Sequence, residues 1–151
     1  MHVCTSLWTG LLSQDLDMTV TERASHTANQ EIHFARIAKE GKIYAQPFSE
    51  GGAAAAGAAA FGTLAKRITA LEAAQYGASS AGYVVNGKKI FASLSDAADY
   101  FGVLCTEDKR EGTKGKLSRR DTLYLAIDRN AKGVSVVGDW DPLGMRGTVS
   151  R

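Results

Sequence analysis

The sequence predicts an α+β chain in which a helical N-terminal segment precedes a β-rich domain, and three observations carry that expectation. Apolar residues fall at helical spacing before Gly41. Short β-type runs rich in branched and aromatic residues replace them from Ile43 onward. Asn86-Gly87 then sits between two such runs, where a tight turn would join paired strands.

Residues 3–15, with Leu7, Leu11 and Leu12 at helical spacing and Trp8 beside them, read as an amphipathic or buried helix. Almost no lead-in and no cap precede Val3, so Met1 reads as an internal start. Residues 15–29 are mostly polar and read as a connection. A second helix follows through Phe34, Ile37 and Ala38, with Gly41 as its stop. The β-type runs lie at 43–48, 83–85, 88–92, 100–105, 122–127 and 134–137. Asn-Gly can take the left-handed angles of a two-residue turn, which predicts a hairpin over 83–92. Over 63–82, Leu64, Ile68 and Leu71 are spaced as in a helix while the glycine-rich flanks suggest a strand and a loop; both readings stay open. Residues 107–121 carry Lys109, Arg110, Lys114, Lys116, Arg119 and Arg120 among acids and glycines. They read as a solvated loop, without the interleaved aromatics that stack bases.

The length, 151 residues, suits one domain or one domain with part of another. Lys+Arg 18 against Asp+Glu 16 gives a net charge of +2, which calls for neither nucleic acid nor an anionic membrane as partner. Cys4 and Cys105 lie far apart without C-x-x-C spacing and read as reduced structural thiols, which favours a cytoplasmic location. The Ala/Gly tract at 53–61 is too short and weakly apolar to span a bilayer, and no basic region precedes an apolar one at the N-terminus. Neither export nor membrane insertion is expected. His2, His26 and His33 lack paired carboxylates or cysteines, so none is assigned to catalysis or to a metal.

Four segments in order carry a resemblance: Gln46-Pro47-Phe48-Ser49-Glu50-Gly51-Gly52, residues 83–91, residues 92–100 (Ala-Ser-Leu-Ser-Asp-Ala-Ala-Asp-Tyr), and Trp140-Asp141-Pro142-Leu143-Gly144-Met145-Arg146-Gly147-Thr148. Together they resemble the acyl-CoA dehydrogenase family of flavoproteins. The resemblance implies that residues 1–42 are the end of the N-terminal helical domain. It makes residues 43–151 a truncated middle domain, an incomplete antiparallel β-barrel, with the C-terminal helical bundle absent. It implies FAD as cofactor, an acyl-CoA as substrate oxidised between its second and third carbons, an electron-accepting flavoprotein, and a homo-oligomer at full length. A reduced-flavin monooxygenase on the same scaffold and a degenerate non-catalytic fragment are the alternatives. The family's catalytic carboxylate belongs to the bundle, so the chain alone is expected neither to retain FAD tightly nor to turn over. If it did turn over, Glu50 or Asp96 would be the base.

By the same resemblance Phe48 and Ser49 bind the cofactor, Ser49 at the pyrimidine edge of the flavin. Phe91 stands where the family usually has tryptophan against the flavin, and Ser93 where a hydroxyl lies near the reactive nitrogen. Taken by themselves, Ser49 reads as a turn residue and Phe91 as a core residue. Strand alternation points 91 and 93 to one face and Ala92 to the other. Phenylalanine keeps the aromatic face but lacks the indole donor. After Glu50 the family commonly has a Gly-Ser-Asp stretch. Here Gly51-Gly52-Ala53-Ala54-Ala55-Ala56-Gly57 offers only backbone donors, or a flexible loop. Leu143 to Thr148 reads mainly as a structural turn.

Overall fold

The computed structural model of the protein describes residues 20–52, 59–110 and 115–138. The expected helix over 3–15, Cys4, the stretch 53–58 and the segment 140–148 lie outside these residues. Helix α1 (Val20–Glu40) covers the second predicted helix and ten residues before it that had read as a connection. Those residues contain neither Pro nor Gly, and polarity there reflects the absence of an apolar stripe rather than a break in the helix. Gly41, at φ 67°, ends the helix in the left-handed region that glycine adopts without strain.

The sheet is organised around β4 (Tyr100–Glu107). Its Tyr100, Phe101, Val103 and Thr106 are aromatic or β-branched, which suits a strand with both edges paired, and Phe101, Val103 and Cys105 along it are buried. One edge pairs antiparallel with β5 (Thr122–Asp128), from Tyr100 opposite Asp128 to Thr106 opposite Thr122. The other edge is shared by two parallel partners. The two-residue β1 (Tyr44–Ala45) lies beside Tyr100 and Phe101, and β2 (Leu64–Ile68) lies beside Thr106 and Glu107. β3 (Gly82–Asn86) completes the sheet antiparallel to β2, with Leu64 opposite Asn86 and Ile68 opposite Gly82.

The antiparallel pairing expected of an incomplete barrel is corrected to a mixed sheet, with parallel seams of β1 and β2 on β4, and among the described residues this sheet does not close. The hairpin over 83–92 is corrected as well. β3 pairs backwards with β2 across a helical excursion, and the run at 88–92 contributes only one bridge, Ile90 to Ser49. The ambiguity over 63–82 resolves into both readings in succession, strand β2 and then helix α2 (Ala70–Ala73) with a 3-10 turn over Ala74–Tyr76. Thr69 and Glu72 form a reciprocal capping box that starts α2. Residues 134–137 form no strand, but Val134 and Val136 pack against the core cluster of Ala45, Ala98, Phe101 and Val103.

Helix α1 docks on the β1 end of the sheet. Phe34 and Ile37 pack on the buried ring of Tyr44, with Tyr124 and Ala126 from β5 on the same cluster. Tyr44 stacks on Tyr100 at 4.8 Å between centroids, Arg36 lies over the Tyr100 ring, and His33 Nδ1 is 2.8 Å from the Tyr44 hydroxyl. Lys42 and the Ile43 N–H both donate to Asp99, tying the chain after α1 to the start of β4. Among the described residues no helix is long and apolar enough to cross a membrane.

Candidate functional site

The segment after β1 turns sharply at Gln46 to Phe48, where the Phe48 N–H returns to the Gln46 carbonyl at 2.9 Å. Gln46 Nε2 donates to the Tyr124 hydroxyl at 2.9 Å, and the half-buried Phe48 ring lies edge-on to Tyr124 at 5.8 Å. Burial pushes the Tyr124 hydroxyl up to about 12, so it stays protonated. Phe48 thus packs inward on β5, and Ser49 comes next. Ser49 forms an antiparallel bridge with Ile90, whose N–H donates to the Ser49 carbonyl at 2.9 Å.

Beyond this bridge the second segment is bent. Phe91 and Leu94 have φ of 60° and 65°, left-handed angles that side chains other than glycine rarely adopt and that cost roughly 1–2 kcal/mol each. The Ser93 N–H returns to the Phe91 carbonyl at 3.0 Å and the Ser95 N–H to the Ala92 carbonyl at 3.1 Å. From the far side Arg129 Nη1 donates to the Ser95 carbonyl, and the Arg129 N–H donates to the Asp99 carbonyl at 2.9 Å. Ala92 and Ser95 are consequently buried, while Phe91, Ser93 and Leu94 face outward; Phe91 is 60 % exposed. Taken alone, Phe91 reads as a core residue in the sequence; the backbone turn places it at the surface instead.

The bridge brings the segment holding Phe48 and Ser49 beside the one holding Phe91 and Ser93. Next to it lies an ion pair that sequence reasoning missed. Glu50 Oε1 accepts from Lys89 Nζ at 2.6 Å, with both side chains under a tenth exposed. Glu50 also accepts the N–H of Gly62 (2.7 Å) and of Thr63 (3.0 Å), and Lys89 Nζ lies 4.5 Å from the centre of the Phe61 ring. Burial alone would raise the Glu50 pKa, but the hydrogen bonds from Lys89 and the two N–H groups outweigh it and hold the carboxylate below its ordinary value. Both oxygens are engaged, which removes Glu50 as a proton-abstracting base. Both residues lie in segments that the sequence singles out, but their partnership was not legible there, because it depends on the register of a single bridge.

Other features lie elsewhere. A shallow concavity of about 440 Å³, lined by Arg67, Ile68, Thr69, Ala81, Gly82 and Tyr83, opens at the end of the β2–β3 ladder opposite to Asn86 and is remote from this junction. Cys105 is a free, buried thiol, pushed up to about 11 by burial. No group of three or more His, Cys, Asp or Glu among the described residues could hold a metal ion.

A family model described as acyl-CoA dehydrogenase, middle domain, matches residues 62–151, more than half of the chain. No curated protein and no solved structure matches. The matched stretch contains β2 to β5 together with Phe91 and Ser93, and the Ser49 bridge is made to its Ile90. The chain belongs to the acyl-CoA dehydrogenase family.

Proposed function

We propose that the chain serves an FAD-dependent acyl-CoA dehydrogenase, with the edge formed by Ser49, Phe91 and Ser93 facing the isoalloxazine. The observation that carries this reading is an outward-facing aromatic ring, on backbone held in left-handed angles, joined by one bridge to a second hydroxyl-bearing segment. These residues fit a flavin: Phe91 offers a face for stacking, and the Ser49 and Ser93 hydroxyls can donate to ring oxygens and nitrogens. FAD, when bound, supplies the hydride acceptor. Phe48 supports the site from behind through Tyr124 rather than by facing the ring. An acyl-CoA is the substrate on this reading, an electron-accepting flavoprotein takes the electrons, and the functional assembly is a homo-oligomer. The proton-abstracting carboxylate is not Glu50.

The test is to titrate FAD into the purified chain and follow the visible flavin band, then to add an acyl-CoA. Because the chain alone is expected not to retain FAD tightly, the band should shift with protein in excess and the shift should be lost when free flavin is removed, without turnover of the acyl-CoA. Ser93→Ala should weaken FAD about tenfold, the worth of one hydrogen bond to a ring that carries charge when reduced. A flavin band that excess protein leaves unaltered would overturn the reading.

A further inference from the structure

We infer that the Glu50–Lys89 ion pair is a positioning device that sets the register between the Ser49 segment and the Phe91 segment. The inference rests on the flavin reading for its purpose, though not for its geometry. Ser49 and Ile90 are joined by an isolated bridge, with no ladder on either side. One such contact is a weak determinant of register, since a sheet normally gains uniqueness from many cross-strand pairs. In an antiparallel pair with Ser49 opposite Ile90, the next residues opposite each other are Glu50 and Lys89, and on the other side Phe48 and Phe91. The ion pair therefore occupies the adjacent rung and fixes which residues of the two segments face each other.

Physical chemistry favours a specifying role over a stabilising one. Withdrawing two charges from water costs several kcal/mol per ion, and a buried pair commonly does no better than an apolar pair of the same volume. A one-residue slip, however, would leave Lys89 buried without its carboxylate and Glu50 without its ammonium, an outcome disfavoured strongly enough to exclude that register. Glu50 further ties both segments to the start of β2 through the Gly62 and Thr63 N–H groups, while Lys89 is covered by Phe61. The tie reaches the strand on which the next pairing of the sheet depends. Because Phe91 follows Lys89 by two residues, any freedom in the rung passes directly to the ring proposed to stack on the flavin.

The experiment compares the full chain with Lys89→Met and Lys89→Arg by amide hydrogen exchange and by FAD titration. Lys89→Met keeps the stem over Phe61 and leaves Glu50 its two backbone donors; because it also removes the ammonium from the buried carboxylate, any general loss of stability is read separately from the β4–β5 amides. The Ile90 N–H, which donates to Ser49, should lose protection about tenfold or more while the β4–β5 amides stay protected. FAD should bind about tenfold more weakly with a broadened visible band, and Lys89→Arg should restore protection and band together. Retained Ile90 protection and unchanged FAD affinity in Lys89→Met would overturn the inference, as would loss of protection that Lys89→Arg fails to recover. If the unaltered chain leaves the flavin spectrum untouched, the flavin reading falls, and the exchange data alone decide whether the pair sets the register.

Discussion

Gly87 shows how one residue can be required for a reason other than the one its neighbours suggest. Beside Asn86 it looks chosen for the left-handed angles of a tight turn, yet its φ is not positive. What demands glycine is proximity, since a Cβ built there would lie 2.6 Å from Thr63 Cα and against the Thr63 side chain. Thr63 cannot withdraw, because its N–H is held by Glu50 and its carbonyl accepts from the Thr106 N–H at 2.9 Å. Gly87→Ala should therefore destabilise the protein by about 1–3 kcal/mol, as overpacking of a fixed site does. Gly51→Ala, which meets nothing within 4 Å, should stay within about 0.5 kcal/mol. Urea unfolding of both variants checks this, and equal midpoints would contradict it.

At the scale of elements, α1 is held to the sheet partly by a half-buried histidine that meets the Tyr44 hydroxyl. Burial, and after it the charge of Arg36, lowers the His33 pKa below its ordinary 6.5. The unfolded chain therefore binds a proton at His33 before the folded chain does. The stabilisation is complete above about pH 6.5 and is lost as pH falls from there through the lower folded value. Carboxylates such as Asp99, held low by the Ile43 N–H and Lys42, act only in the more acidic range below about pH 4. The thermal midpoint should accordingly fall between about pH 6.5 and 5, and His33→Gln, which keeps an acceptor for the Tyr44 hydroxyl, should flatten that slope. A wild-type midpoint constant over this range would refute the role assigned to His33. The helix itself was legible in the spacing of Phe34, Ile37 and Ala38, but its start was not, because the polar sequence of residues 20–29 has no periodic apolar stripe to read.

For the whole molecule, the sequence showed a helix leading into a β-rich region and displayed the segments that carry the candidate site. It did not show how those segments meet. The pairing of Ser49 with Ile90, and of Tyr44 with Tyr100, depends on long-range register that no local pattern encodes. Asn86-Gly87 pointed to the wrong partner for β3 because turn chemistry is local, whereas the Thr63 contact that selects glycine comes from the residue just before β2. The outward turn of Phe91 was hidden for a related reason: Arg129, distant in sequence, grips the Ser95 carbonyl that follows it.

The shared edge of β4 bears on the order in which the chain assembles. The β4–β5 ladder joins near neighbours along the sequence, while the parallel seams of β1 and β2 with β4 must first close long loops whose entropy is lost before any contact forms. The rate-limiting nucleus should thus contain β4 and β5, with β1 added on the downhill side of the barrier. In stopped-flow chevrons, Val103→Ala should slow refolding, whereas Ala45→Gly should chiefly hasten unfolding. The reverse pattern would place the parallel seam in the nucleus. Since Ser49 follows β1 closely, the candidate flavin edge would be among the last parts of the protein to acquire its shape.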